Sequence, residues 1–478
     1  MEKRIFWDRE DEMRFLDGLY AKKGYNLVIL YGRRRVGKSS LIERFCKDKE
    51  HVYYLCDKRG TAINAMEFSR IAAEAFHDIQ PMTDNFLSSF EYVTKRADPG
   101  KEFIIAIDEF PYLVEKDQSI PSVFQKIADT ILKGRNVMLI LCGSSINMMY
   151  ENALSYKSPL YGRKTGAWEV KPLSFASLRA CFPSLDIQKT IEFYSVFGSM
   201  PAYLSKINPS KTLEENIKDQ IMRKGTPLYM EPEILLQEEL RDPSQYKNIL
   251  SNMPLSTKLS EIASKSGIEA KDMPKYFSTL MNIQVVKKET PITLKKTKIV
   301  EYGIIDNLFR FWFAFCARNV SFLEENRHDF VFENYVKPNL AYLKAKAFED
   351  VCREVVAKSE VFWTGAVGKW WGKNPDKKKG MNEEEIDIVA INDRKRILFG
   401  ECKWTSEKTD VNVYEELRRK AGIVEWNSRS RMEEFALFSK SGFTDRMKGI
   451  AEEEYVHLFG LDTIEKALSQ EKGDVGLG

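Results

Sequence analysis

The segment "LVILYGRRRVGKSSLIERF", residues 27–45, constrains this chain more than any other. An apolar run ends in Gly32-x-x-x-x-Gly37-Lys38-Ser39, and an amphipathic run follows at once. A buried strand, a glycine-rich turn and a helix in that order form a phosphate cradle. Glycines let the backbone fold around an anion, and successive N–H groups with the helix N-terminus face it. The loop residues Gly32, Arg33, Arg34, Arg35, Val36, Gly37, Lys38, Ser39 and Ser40 are therefore the candidate nucleotide-binding set. Lys38 would reach the β and γ phosphates, and Ser39 would ligate Mg²⁺.

Two further apolar runs extend the pattern. "FIIAIDEF" ends in Asp108-Glu109, at the strand edge where open α/β sheets bind ligands. Asp108 is expected to hold the hydration shell of Mg²⁺, and Glu109 to activate the attacking water. "VMLILCGSSINMM" ends in small polar residues, of which Ser144 is a candidate γ-phosphate sensor or simply a helix cap. Strands alternating with helices predict a parallel sheet over residues 1–170, a P-loop ATPase core of α/β class. Residues 171–240 lack strand runs and are expected to form a helical lid. In 241–305, "STKLSEIASKSG" and "DMPKYFSTLMNIQVV" suggest helix, turn and helix, and "VVKKETPITLKKTKIVEY" two strands. That succession predicts a winged helix-turn-helix. Residues 306–478 are expected to form a last α/β domain.

Composition excludes some classes. The 478 residues suffice for several domains, and 43% hydrophobic with 30% charged residues is a globular balance. Seven dispersed cysteines without paired spacing suggest reduced thiols, and the four histidines are too scattered for a zinc site. No apolar run nears the roughly 18 residues of a membrane span, and the N-terminus lacks a signal-peptide core, so a cytoplasmic protein without a membrane partner is expected. A net charge of +3 does not by itself indicate a nucleic-acid partner.

The motifs "FWDREDEM", "GRRRVGKSS", "IDEFPYL", "CGSS", "YGRKTG" and "FGSMPAYL" occur in an order that resembles the archaeal-type ATPases, among the AAA-like and STAND P-loop NTPases. The resemblance spans about the first 240 residues and continues into the helix-turn-helix. It implies ATP and Mg²⁺ as cofactors, Arg9 and the Pro201 segment beside the adenine, Ser144 as sensor, and Arg163 near the γ phosphate as a finger arginine, in cis or from a neighbouring subunit. One departure stands out: the family's paired glycine before the proline segment is Gly198-Ser199 here.

Near the C-terminus, "EEEIDIVAINDRKRILFGECKW", residues 383–404, sets charged residues in apolar strands. Glu401 and Lys403 share a strand face, and a hairpin would bring Asp387 to it. "AKAFEDVCREVVA" is an amphipathic helix carrying Glu349. Two carboxylates on adjacent strands suit Mg²⁺, and a lysine beside them can position an attacking water. Without metal the two acids repel, so one is expected to hold a proton. Glu349, Asp387 and Glu401-x-Lys403 resemble the PD-(D/E)XK nucleases, which implies catalytic roles for all four and metal ligation by Asp387 and Glu401. A surface salt bridge at Lys403 is the plainer alternative. The acidic run Glu383-Glu384-Glu385 can be no more than a solvated strand start.

DNA is the expected partner. Candidate contacts are Lys287, Lys288, Lys295 and Lys296 in the wing, and Trp370 and Trp371 with Lys373 and Lys377 to Lys379. The plainer and preferred alternative is that the tryptophans are core and the lysines a solvated loop. The sequence thus suggests a Mg²⁺-dependent ATPase whose nucleotide state controls a DNA-directed, metal-dependent nuclease-like domain. The alternatives are a non-cleaving ATP-driven switch that binds DNA or a protein partner, and an ATPase that acts only through protein partners or as a homo-oligomer.

Overall fold

The computed structural model describes residues 8–294, 297, 299–358, 365–378, 382–392 and 394–469. Lys295, Lys296 and Lys379 of the candidate DNA contacts lie outside these residues. The chain forms two compact units, one of residues 1–173 with 200–205, the other of 174–199 with 206–478. Among the described residues, no helix is long and apolar enough to cross a membrane.

The first unit is built on five parallel strands, β1 (Asn26–Tyr31), β2 (His51–Leu55), β3 (Phe103–Asp108), β4 (Val137–Gly143) and β5 (Gly166–Glu169), in the order β2-β3-β4-β1-β5. Every residue of β3 and β4 is buried, as expected of parallel strands covered on both faces. Phe68, Phe86, Phe90, Phe110 and Phe124 fill part of the core against the sheet. The strand order has a direct consequence for the site. With β4 between β1 and β3, the loop after β1, the acids after β3 and Ser144 after β4 all leave the same sheet edge.

Backbone geometry accounts for the loop's glycines at two positions. Gly32 has φ +154°, and a Cβ there would lie 2.2 Å from the Val170 carbonyl oxygen. Val170 is fixed in place by its own N–H, which donates to Tyr31 O at 2.7 Å. Gly37, at φ +92°, precedes helix α2 (Lys38–Cys46) and has open space where a Cβ would stand.

The second unit is helical from Phe175 to Asn282, apart from its connections and the 200–205 excursion. It includes helices Leu259–Ser266 and Met273–Asn282, followed by an antiparallel pair, β6 (Val286–Glu289) and β7 (Glu301–Ile304). The aromatic stretch at 307–316 is helical, and its buried Trp312 donates to Tyr229 O at 2.6 Å. A five-stranded mixed sheet follows: β8 (Ala366–Lys373), β9 (Glu383–Ile391), β10 (Arg396–Lys403), β11 (Met432–Ser439) and β12 (His457–Phe459), in the order β12-β11-β10-β9-β8. β8, β9 and β10 run antiparallel, and β10, β11 and β12 parallel. Helices Leu340–Lys358 and Val411–Ala421 both pack on β9 and β10. Trp370 is core in this sheet, while Trp371 lies under the Lys369 ammonium at 4.7 Å.

Gly32→Ala meets a fixed carbonyl as well as an unfavourable φ, whereas Gly37→Ala meets only the φ penalty of about 1–2 kcal/mol. Gly32→Ala is therefore expected to lower the thermal unfolding midpoint of the first unit clearly more than Gly37→Ala. Calorimetric scans of the two variants beside wild type check this; equal midpoints would show that Val170 yields freely.

Candidate functional site

Lys38 opens α2 and is buried; its ammonium donates to the carbonyls of Gly32 (2.7 Å) and Arg33 (3.1 Å). These neutral partners leave the charge to be balanced by an anion entering the loop. Arg35 adopts φ +72°, and Arg34 donates to the Tyr112 hydroxyl at 3.0 Å. Val36 is fully buried, and its carbonyl accepts from Arg9 at 2.8 Å. Arg9, just before helix α1 (Glu10–Tyr20), also donates to Lys171 O (2.9 Å) and pairs with Glu12 (2.8 Å). It thus ties the phosphate loop to the chain after β5. Pro201 begins a short helix, Pro201–Leu204, that belongs to this unit.

Asp108 is wholly buried, and both its oxygens are engaged. Oδ2 accepts from Ser39 Oγ (2.5 Å) and from the Tyr53 hydroxyl (2.8 Å), while Oδ1 accepts the Glu109 N–H (2.9 Å). Ser39 has one proton to give and gives it to Asp108, so its lone pairs remain for a cation. This donor set fits Mg²⁺, a hard ion bound through few protein oxygens and several waters. Glu109 adopts φ +53°, a left-handed conformation that costs of order 1–3 kcal/mol and clusters at functional sites. Its Oε2 accepts from Ser144 Oγ at 2.8 Å. The structure thus joins the expected water-activating acid to the expected sensor. Arg163 stands apart. It makes a two-pronged ion pair with Asp129 (2.8 and 2.7 Å) and donates to Pro159 O, and no contact to the loop or to Glu109 is among its bonds.

The second constellation assembles on β9, β10 and the helix Leu340–Lys358. β9 and β10 pair as far as Gly400 opposite Ile388, next to Glu401 and Asp387, and the Glu401 charge bears on Asp387. Asp387 Oδ2 accepts the Cys402 N–H at 2.9 Å. Glu401 is buried between Lys403 (2.7 Å) and Lys420 (3.3 Å), and Glu349 pairs with Lys346 (2.7 Å). Arg353 bridges the group, donating to the Asp387 carbonyl at 3.2 Å and approaching Glu349 at 3.8 Å. The Asp387 carboxyl is pushed up to about 7, first by burial, then by the charges of Glu401 and Glu349. Repulsion from Glu401 alone was the expected cause; loss of water counts for more. Among the described residues, no group of three or more His, Cys, Asp or Glu is set to hold a metal ion. Any ion here would bind through a carboxylate pair and water, as Mg²⁺ commonly does.

Four polar residues escaped the sequence reading. Tyr53 and Lys420 reach the two sites from a strand and a helix without a motif, and Lys346 and Arg353 flank Glu349 on a helix read only for its acid. Their roles depend on pairing and packing, and only the basic end of the helix Val411–Ala421 hints at Lys420. The acidic run is not uniformly solvated either. Glu384 is buried, hydrogen-bonded by Asn374 and paired with Lys377 and Arg419, while the exposed Glu383 pairs with Lys258.

Comparisons with known proteins agree with the first site. Residues 6–207 match the family described as "ATPase domain predominantly from Archaea", and 312–414 match "Archaea bacterial proteins of unknown function". The uncharacterized protein MJECL04 of Methanocaldococcus jannaschii is 33% identical over 430 residues, 88% of this chain and 92% of that protein. The uncharacterized ATP-binding protein MJ0423 of the same organism is 46% identical over 46 residues, 10% of this chain and 78% of that protein. In fold, the chain resembles the Walker-type ATPase PABY2304 of Pyrococcus abyssi, with a TM-score of 0.50 and 20% identity over 65% of this chain and 97% of that one. A strand order that gathers loop, acids and Ser144 at one edge, with a relative matched along nearly its whole length, places the chain in the family of P-loop ATPases found predominantly in Archaea.

Proposed function

We propose that the protein is a Mg²⁺-dependent ATPase whose nucleotide state controls a DNA-directed, metal-dependent phosphodiester site in a nuclease-like C-terminal region, reached through helical-lid and winged-helix modules. When bound, Mg²⁺ offsets phosphate charge and holds the phosphates in place. The chain's own groups do the rest. Lys38 moves its donors from the Gly32 and Arg33 carbonyls to phosphate oxygens. Ser144 keeps Glu109 Oε2 occupied and leaves Oε1 to take the proton of the attacking water. Arg9 holds the loop against the segment after β5 and borders the adenine with Pro201. Arg163 serves the γ phosphate only on leaving Asp129.

The observation that carries the second half is Asp387, next to the Glu401 charge with its carboxyl raised to about 7. An acid in that state favours a neutralising cation, and Lys403 offers a charge to a phosphodiester beside it. DNA is the partner that such a site and the Lys287–Lys288 strand would meet, and a protein partner or a homo-oligomer is compatible with the same ATPase. A non-cleaving switch is the second reading, favoured by the lysines already seated on Glu401 and Glu349. They stabilise both acids without a metal and suit a fold retained for recognition.

Lys38→Ala is expected to abolish ATP binding, while Glu109→Gln binds ATP and turns it over at least about 100-fold more slowly, as loss of a general base does. Equilibrium binding and single-turnover hydrolysis check this pair; wild-type turnover by Glu109→Gln would remove Glu109 as base.

The second prediction concerns pH. A native-state acid raised above its unfolded value binds more protons folded than unfolded, so metal-free stability falls as pH rises from about 4 to about 7. Asp387→Asn removes that loss. It should stabilise the metal-free protein above pH 7 by on the order of 2 kcal/mol, less than the full shift because the residue keeps some solvent exposure, and by little at pH 4. Urea unfolding at both pH values, with and without Mn²⁺, tests it. Equal stability of variant and wild type at high pH would show that Asp387 is ionised there at no cost.

A further inference from the structure

We infer that Tyr53 is a positioning residue of the nucleotide site, holding the Asp108 carboxylate in the orientation that receives the metal of a metal–nucleoside triphosphate. β2 pairs with β3 so that Leu55 stands opposite Asp108 and Tyr53 opposite Ala106. Tyr53 shares a strand face with Leu55, and its long side chain reaches along the sheet to the end of β3. Its hydroxyl donates to Asp108 Oδ2 at 2.8 Å.

Asp108 is shut away from water, and a carboxylate there keeps its charge only by accepting hydrogen bonds. The Glu109 N–H fixes Oδ1. Two donors share Oδ2, Ser39 Oγ from α2 and the Tyr53 hydroxyl from β2, while the buried Cys142 thiol of β4 also faces the carboxylate. Ser39 has two tasks, giving its proton to Asp108 and offering its oxygen to the cation. Any shift of Ser39 toward a cation weakens its hold on Oδ2, and Tyr53 is the donor that does not move with the phosphate loop. Without it the carboxylate can turn about its Cβ–Cγ bond, and the oxygen that orders the metal's waters is no longer fixed before the ligand arrives. Tyr53 touches neither nucleotide nor metal, so its effect is confined to the metal-dependent part of binding.

Because this rests on assigning Asp108 to the nucleotide's metal, the test measures that assignment too. A fluorescent ATP analogue is titrated into wild type, Asp108→Asn and Tyr53→Phe, first without divalent ion and then under increasing Mg²⁺. Tyr53→Phe is expected to keep the metal-free analogue affinity at a modestly lowered melting temperature, while needing roughly tenfold more Mg²⁺ for half-saturation, the scale of one lost hydrogen bond to a charged acceptor. Tyr53→Met, a second side chain without a donor, should shift Mg²⁺ the same way, so the result does not hang on one variant's folding. Unchanged Mg²⁺ half-saturation in both variants overturns the positioning role. Metal-free affinity and melting temperature falling together, with no separate Mg²⁺ effect, show a merely structural tyrosine and overturn it equally. If wild type gains nothing from Mg²⁺, or Asp108→Asn leaves the Mg²⁺ response intact, the metal assignment of Asp108 itself falls.

Discussion

The Asp108 carboxylate is the constraint on which the nucleotide site depends. A fully buried charge must be hydrogen-bonded or it unfolds its surroundings. Here the bonds come from α2 through Ser39, from β2 through Tyr53 and from the next backbone N–H. One charge therefore ties the helix after the phosphate loop, an edge strand and a central strand together. Gly32 extends the same logic on the other side of β1, where the chain passes so close to Val170 that no side chain fits. The binding loop is held from both flanks before any ligand enters it.

The two sites handle their aspartates differently. Asp108 accepts three hydrogen bonds, from Ser39, Tyr53 and the Glu109 N–H. Asp387 receives one backbone N–H, faces two other acids, and holds its proton to about pH 7. Its neighbours show the contrast. Glu401 has Lys403 and Lys420, and Glu349 has Lys346, whereas Arg353 meets Asp387 at its carbonyl and spends its charge on Asp350 and Glu349. Asp387, offset by the nearby Lys403 charge only in part, is the under-compensated place in the charge pattern. A divalent ion fills it with one binding event, which is why the reading of this region as a metal-dependent phosphodiester site is preferred to a structural salt bridge.

Much of the first unit is legible in the sequence because its signals are local. A glycine-rich loop must follow a strand and precede a helix, and Asp108-Glu109 must end an apolar run; both conditions are visible in consecutive residues. The hairpin bearing Asp387 and Glu401 is legible for the same reason, since a period of two and a polar turn fix the face. What escapes is whatever depends on how distant elements pair. Tyr53 lies in "HVYYL", where nothing tells which tyrosine faces Asp108 until β2 is laid beside β3. Lys420 and Arg353 look like ordinary helix-surface cations until their helices pack on β9 and β10. Trp370 is buried as core, as the plainer reading of an aromatic among lysines expects.

The central claim is that a nucleotide-controlled, metal-dependent phosphodiester site surrounds Asp387 and Glu401. The most direct measurement is a cleavage assay on single-stranded, duplex and supercoiled DNA with Mn²⁺, using wild type and Glu401→Ala, each with ATP, with ADP and without nucleotide. The account predicts cleavage by wild type that changes with the nucleotide and vanishes in Glu401→Ala while ATP hydrolysis persists. Cleavage surviving in Glu401→Ala, or no cleavage by wild type under any nucleotide condition, would contradict it.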